Sequence, residues 1–325
     1  MTTRTEPERT PPIMSDDRHI QFVKMHGIGN DYVYIDATRE DPGDPVELAR
    51  LVSDRNFGIG GDGLILICPP SEGVDADVRM RMFNADGTES QMCGNGARCV
   101  AKYAVDSGMS TSHPLKLQTD AGVLSVQYET DQHGRVRSAT IDMGRPVLDA
   151  ASIPVIIPGH DPAQRVLDQQ LPTETWPGSI EWIGPAGLQA SLTAVSMGNP
   201  HAVIYCSDVE KVPLERIGPF LECHGWFPER INVHFVQVVR EDHVIMRTWE
   251  RGSGITLACG TGASAVCVAG VLTGRTGPRL TTELPGGTLL IQWSDMDGPV
   301  HMTGPAHEVF RGRFDPEHAW SDVRG

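Results

Sequence analysis

Two cysteines head two copies of one short phrase. Cys93-Gly94-Asn95-Gly96-Ala97 is the first and Cys259-Gly260-Thr261-Gly262-Ala263 the second. The likeness runs on without a gap. Val100, Val105 and Gly108 match Val266, Val271 and Gly274, and Arg81-Met82-Phe83-Asn84 stands where Arg247-Thr248-Trp249-Glu250 stands. Gly29-Asn30 and Gly198-Asn199 precede their cysteines at a similar remove. A single cysteine at a helix start is by default a packing residue, but recurrence in two aligned contexts argues for a role. The glycines let the backbone approach a ligand closely. The free N–H groups of a first helical turn attract anions, and the helix dipole lowers a thiol's pKa there. Two such termini converging on one point would hold one carboxylate, with a thiol on either side of the carbon beside it. That arrangement suits moving a proton from one face of a carbon to the other.

Other polar residues fall at turns and strand ends. Asn30, Asn84, Asn199 and Asn232 are common turn residues taken singly. With Glu250 and Arg251 they supply neutral donors and acceptors and one charge of each sign, a set that suits a zwitterionic ligand. His201, beside a thiol, would take or stabilise a proton. Other chemistries fit less well. Gly58-Ile59-Gly60-Gly61-Asp62-Gly63 satisfies G-x-G-x-x-G but precedes the strand-like Leu64-Ile65-Leu66-Ile67, the wrong order for a dinucleotide site. No cysteine or histidine spacing reads as a metal site, no Cys-X-X-Cys is present, and no G-x-S-x-G elbow offers a serine nucleophile. We expect neither metal nor cofactor.

The elements that must position these residues repeat as well. Ile20 to Met25 and Tyr32 to Asp36 read as a hairpin, followed by a helix over Val46 to Asp54 and strands at Leu64 to Cys68 and Val78 to Asn84. A helix starts at the first cysteine phrase and reaches about Ser107, ahead of a meander through Met143. Proline thickens from Pro146 to Pro185, and the domain crossing is placed near its start. The second half repeats the order: strands at Ala194 to Met197 and His201 to Cys206, a helix over Pro213 to Glu222, then strands at Asn232 to Val239 and His243 to Trp249. The second cysteine helix runs to about Leu272, and Leu284-Pro285-Gly286-Gly287 turns a hairpin. Strand-heavy halves with one prominent helix each make an α+β fold of two similar domains facing across a cleft.

Length and composition agree. The 325 residues suffice for two domains, and 39% hydrophobic with 21% charged content is that of a globular protein. A net charge of −15 argues against nucleic acid as a partner, and no apolar run approaches a membrane span. Seven cysteines without a secretory signal point to a reducing, cytoplasmic setting. Residues 1–19 read as a disordered polar arm.

With these residues in hand, the chain resembles the diaminopimelate epimerases, cofactor-independent amino-acid epimerases. The matching motifs are Met25-His26-Gly27-Ile28-Gly29-Asn30-Asp31, Phe83-Asn84-Ala85-Asp86-Gly87 and Met92-Cys93-Gly94-Asn95-Gly96-Ala97-Arg98. The second half adds Met197-Gly198-Asn199-Pro200-His201, Trp249-Glu250-Arg251-Gly252 and Ala258-Cys259-Gly260-Thr261-Gly262-Ala263. The resemblance implies two pseudo-symmetric domains, each a barrel-like sheet around a central helix. It implies lobes over 20–145, completed by a returning strand at about 306–316, and over 146–305, with a tail at 317–325. It implies interconversion of LL- and meso-diaminopimelate for lysine and peptidoglycan precursor synthesis, without pyridoxal phosphate. Cys93 and Cys259 correspond to the acid/base pair; Asn30, Asn84, Asn199, Asn232, Glu250 and Arg251 to the substrate-binding set, with the backbones of Gly94, Asn95, Gly260 and Thr261; His201 and Glu250 to positions that tune the thiols. Gly63 stands where some members carry a substrate-contacting Gln, Ile255 where a Glu is often found, and Phe310 where some place a dimer-interface Tyr. A homodimer is left open.

The expected mechanism follows. Both helix starts grip the α-carboxylate, where charge gathers as the α-proton leaves. One cysteine acts as thiolate base while the other, protonated, delivers to the opposite face. The asparagines and Arg251 hold the distal amino-acid end, and leaving them unpaired would penalise a substrate lacking it by roughly 10⁴-fold in rate. A proline racemase or hydroxyproline epimerase is the nearest rival, although those enzymes tend to carry histidine where this chain has Asn95. A protein cycling a Cys93–Cys259 disulfide, or a binding module without activity, are rivals from other classes.

Overall fold

The computed structural model describes residues 19–316. The arm expected over residues 1–19, His19 excepted, and the tail at 317–325 lie outside those residues.

The first half opens with β1 (Ile20–Gly27) and β2 (Asn30–Asp36), a hairpin turned by Ile28-Gly29 alone. Helix α1 (Pro45–Ser53) is capped by the Asp44 side chain, which accepts from the Val46 N–H, and begins on a proline whose missing N–H is not needed there. Strand β3 (Gly63–Cys68) lies parallel to β2, and β4 (Val78–Asn84) runs antiparallel to β3 and to the short β5 (Glu89–Ser90). Helix α2 (Gly94–Asp106) comes next, then β6 (Leu115–Thr119), β7 (Gly122–Thr130) and β8 (Val136–Asp142), the expected meander.

After β9 (Gln169–Gln170) and α3 (Ser179–Ala186), the pattern recurs. Strands β10 (Ser191–Ser196) and β11 (Pro200–Cys206) form the hairpin; α4 (Leu214–Glu222) takes the place of α1. Strand β12 (Asn232–Arg240) is parallel to β11, and β13 (His243–Glu250) pairs with β12 and the short β14 (Gly254–Thr256). Helix α5 (Gly260–Leu272) precedes the meander β15 (Arg279–Leu284), β16 (Gly287–Gln292) and β17 (His301–Pro305). Every pairing of the first half has its counterpart in the second, down to β4 parallel to β6 and β13 parallel to β15. The final strand β18 (His307–Phe314) crosses back to pair with β1.

The halves meet edge to edge at β8 and β17, with Met302 opposite Ile141. Each half curls its sheet around its own helix. α2 packs against β1, β4, β6, β7, β8 and β17, and α5 against β10, β11, β12, β15, β16 and β17. Sequence explains how α5 tolerates this: it is built from Gly, Ala, Ser, Cys, Val, Thr and one Leu, and is buried on nearly every side. The fold is thus α+β, two pseudo-symmetric halves, each a barrel-like sheet about a central helix.

The proline-rich stretch is more than a crossing. Ile153, Val155, Val166, Leu171, Trp176 and Trp182 are buried against Leu192, Ala202 and Phe235, forming a second core on the outer side of β10 to β12. This cover explains why every residue of β10 and β11 is buried. No helix among the described residues is long and apolar enough to cross a membrane.

Candidate active site

Both cysteines take the N-cap position of their helices, in extended backbone at φ −139° for Cys93 and −131° for Cys259. Cys93 caps in full, its Sγ accepting the Gly96 N–H at 3.4 Å. Cys259 makes no such bond, and its Sγ stands 3.7 Å from Thr261 Oγ1. The glycines beside them have a packing reason to be glycine. A Cβ on Gly94 would lie 2.6 Å from Met302 Cε, and one on Gly260 would lie 2.9 Å from Met302 Sδ. Met302 sits on the strand that joins the halves, so the two helix starts converge on a single side chain at the seam. A cleft of about 1340 Å³ opens in front of them and is lined by both cysteines.

The electrostatics differ between the sides. Burial pushes the Cys93 thiol up, opposed by the Gly96 and Asn95 N–H groups and by the Arg98 guanidinium. Burial pushes Cys259 well above the ordinary thiol range, and the Glu250 carboxylate beside it adds to the effect. Glu250 is itself raised by burial, although Thr256 Oγ1 donates to its Oε1 at 2.5 Å. The expectation that the helix dipole would lower the thiol pKa values is therefore corrected. Removal from water outweighs the first-turn N–H groups at both cysteines.

Asn30 and Asn95 stand with Cys93. The Cys93 Sγ–H donates to Asn30 Oδ1 at 3.5 Å, and Asn95 Nδ2 donates to the same oxygen at 3.2 Å. Asn84 lies on the cleft wall, its amide donating to Thr88 Oγ1 at 2.9 Å. Asn199, Glu250, Gly94, Gly260 and Thr261 line the cleft too. Three residues of the expected set stand behind that wall. Asn232 is 3% exposed, its amide spent on Pro200 O at 2.8 Å and on the Arg251 N–H at 2.9 Å. Arg251 sends Nη1 to Glu229 O at 3.0 Å. Both therefore shape the loop after β13 rather than face the cleft in this structure. His201 is fully buried, with Nε2 2.9 Å from Asn199 Oδ1 and Nδ1 2.9 Å from His234 Nε2. Its hydrogen bonds go to Asn199 and His234 rather than to a sulfur.

Sequence reasoning missed four supporting residues. Met302 had no local signal, being remote in sequence from both helix starts. Asp62 lies in the glycine-rich loop, and its Oδ2 accepts from Asn30 Nδ2 at 2.7 Å. His234 packs against the α5 start: a Cβ on Gly262 would lie 2.4 Å from its Cε1 and 2.9 Å from Cys259 Sγ. Arg98 does carry a signal, standing three residues after Asn95 on one helix face. Among the described residues no three His, Cys, Asp or Glu side chains group as metal ligands. The amides, carboxylate and helix starts lining the cleft suit an organic zwitterion instead.

Comparison with known proteins gives the family. The family described as Diaminopimelate epimerase matches residues 22–148 and 193–309. A diaminopimelate epimerase from Leptospira biflexa is 47% identical over 296 residues, covering 91% of this chain and 99% of its own length. One from Methanococcus maripaludis is 45% identical, covering 91% of this chain and 100% of its own. Among solved structures, a Bacillus anthracis phenazine biosynthesis protein of the PhzF family superposes with a TM-score of 0.64 at 18% identity, over 91% of this chain and 99% of that one. A hydroxyproline epimerase from Agrobacterium vitis gives 0.57 at 18% identity, over 92% and 91%. These distant structures share the fold alone. The close relatives, the family match over most of the length and the paired cysteine-headed helices lead to one conclusion: the chain belongs to the diaminopimelate epimerase family.

Proposed function

We propose that this chain interconverts LL- and meso-diaminopimelate by a two-thiol mechanism that uses no cofactor, on the route to lysine and peptidoglycan precursors. The observation that carries the reading is the convergence of Gly94 and Gly260 on Met302, with Cys93 and Cys259 lining one cleft. The α-carboxylate sits at the two helix starts, where N–H groups of both first turns meet the charge that gathers as the α-proton leaves. One sulfur, as thiolate, takes the proton from one face of the carbon. The other, as thiol, gives its proton to the opposite face, and the roles exchange in reverse. Asn84 and Asn199 face the distal end, and closure of the cleft turns the loop held by Asn232 and Arg251 towards it.

We take the lobes as residues 20–145, completed by 306–316, and residues 146–305. We place the reaction in the cytoplasm, where thiols stay reduced, with the protein acting as a monomer or homodimer.

The test is chiral chromatography of LL-diaminopimelate incubated with the protein in deuterated water. Meso product bearing deuterium at the α-carbon is expected, and Cys93→Ala and Cys259→Ala should each abolish its formation. Absence of conversion, or ordinary turnover by either variant, would falsify the two-thiol reading. A redox role would instead show as a Cys93–Cys259 disulfide cycling without epimerisation.

A further inference from the structure

Arg98 is fully buried on α2, and its partners are unusual for a cation. Nη2 donates to Asn95 Oδ1 at 2.9 Å, Nε to Pro305 O at 3.2 Å, and Nη1 points at Met302 Sδ at 3.7 Å. Among the described residues, the groups that bear on its charge are Cys99, Cys93 and Tyr34, none of them a carboxylate. Two strands make room for it. A Cβ on Gly27 would lie 2.8 Å from Nη2, and one on Gly304 would lie 3.1 Å from Cζ. An isolated buried cation works against folding, and a hydrophobic residue of similar volume is often as stable or more so. The stability of the fold therefore gives no evident reason for a guanidinium here.

Its position gives one. A guanidinium only donates, so Asn95 must turn its oxygen to Arg98 and its Nδ2 to Asn30. The Asp62 carboxylate, which only accepts, takes Asn30 Nδ2 at the other end. With a pure donor at one end and a pure acceptor at the other, neither amide can flip. Asn30 Oδ1 is thereby held on the Cys93 sulfur. The Asn95 oxygen also lies 3.8 Å from where a Gly260 side chain would begin, which puts the cation behind both helix starts.

We propose that Arg98 is a positioning residue: its buried, carboxylate-free guanidinium locks Asn95 and Asn30 around Cys93 and backs the converging helix starts with a fixed positive charge. Only the turnover arm of the test rests on the epimerase reading, because the alkylation arm reads the thiol directly. Arg98→Met is the variant to make, with Arg98→Lys keeping the charge but losing the planar fork. Iodoacetamide labelling of Cys93 is followed against pH by peptide mass mapping, alongside thermal melting and turnover. Arg98→Met should melt within a few degrees of the parent protein. Its Cys93 labelling midpoint should move to higher pH, and turnover should fall about tenfold to a hundredfold. Arg98→Lys should keep the parent midpoint more nearly than Arg98→Met does. An unfolded Arg98→Met would make Arg98 a structural residue and overturn the proposal. So would a midpoint that does not move, whatever happens to turnover. A shifted midpoint with no epimerisation by the parent protein would sustain the role of Arg98 while removing the reading of the reaction.

Discussion

Asn30 and Asn199 occupy the same place in the two halves but face opposite ways. Asn30 turns its oxygen to Cys93 and Asn95 and its amide nitrogen to Asp62. Asn199, which also lines the cleft, turns its oxygen to His201. The backbone is near-symmetric; the hydrogen bonding laid on it is not. The first half holds an acceptor on its sulfur, and the second gives the matching oxygen to a histidine.

What holds Asn199 is a chain of neutral histidines. An amide oxygen cannot donate, so His201 Nε2 carries the proton, His201 Nδ1 accepts from His234 Nε2, and His234 Nδ1 accepts from Thr248 Oγ1 at 3.0 Å. Burial pushes His234 down to about 3 and His201 well below its ordinary value. Unfolded histidines titrate near ~6.5, so below that pH the unfolded chain binds protons that the folded one refuses. Stability should be complete above pH 6.5 and decline as pH falls towards 3, His234 costing about 2 kcal/mol by pH 5 and His201 adding in the same direction. His234→Gln can still donate to His201 and accept from Thr248, and it should make the decline shallower by one proton. Urea midpoints at pH 7 and pH 5 check this; equal slopes for parent and variant would remove the buried pair from the account.

Glu250 sits where the first half has Asn84, and the charge it brings raises the Cys259 thiol. Glu250→Gln should lower that thiol towards the ordinary range, because one of its two raising influences is gone while burial stays. At pH 8 iodoacetamide should then label Cys259 several-fold faster, with Cys93 little changed. Slower labelling of Cys259 would mean that the carboxylate serves the thiolate rather than opposing it.

Much of this was legible beforehand because the duplication repeats chemistry as well as pattern. Cys93 with Cys259, and Asn30 with Asn199, are visible as pairs once the halves are laid together. The outer core was not, because Ile153, Trp176 and Trp182 are spread among prolines without helical or strand periodicity. Where Asn232 and Arg251 stand was not visible, because residue type cannot tell a side chain that faces a cleft from one bonded within its own loop. The thiol pKa values went the other way because a helix start is visible in sequence while burial is a property of the assembled halves. Met302 acquires meaning only when β17 arrives from far along the chain, whereas Arg98 shows its spacing to Asn95 beforehand and gains Met302 with the same strand.

Burial of both sulfurs also fixes the direction of the pH–rate profile. With both thiols raised, the scarce form at neutral pH is the thiolate, so kcat/KM should climb as pH rises through 7. It should fall again once the second thiol loses the proton it must deliver, giving a bell centred on the alkaline side. Measuring kcat/KM from pH 6 to 10 in both directions checks this. A profile that falls between pH 6 and 8 would contradict it.

The cleft is clasped on one side only, and a single glycine tests that. The Ile28-Gly29 turn, which carries Asn30, packs on the β15–β16 hairpin: a Cβ on Gly286 would lie 2.0 Å from Ile28 O and 2.9 Å from Leu257 O. Its N–H donates to Leu257 O at 2.8 Å, tying the hairpin to the segment that leads into Cys259. On the pseudo-symmetric side, added Cβ atoms on Gly198 and Gly122 would meet nothing within 4 Å. Gly286→Ala must therefore push the Asn30 turn away from the Cys259 segment, because the clashing atoms are backbone and cannot rotate aside. A destabilisation of about 1–3 kcal/mol is expected from such overpacking, with a fall in turnover as Asn30 leaves the Cys93 sulfur. Gly225→Ala, where a Cβ also meets nothing within 4 Å, is the control and should change neither. If Gly286→Ala melted and turned over like the control, the turn and hairpin would not be in contact, and the one-sided clasp would have to be abandoned.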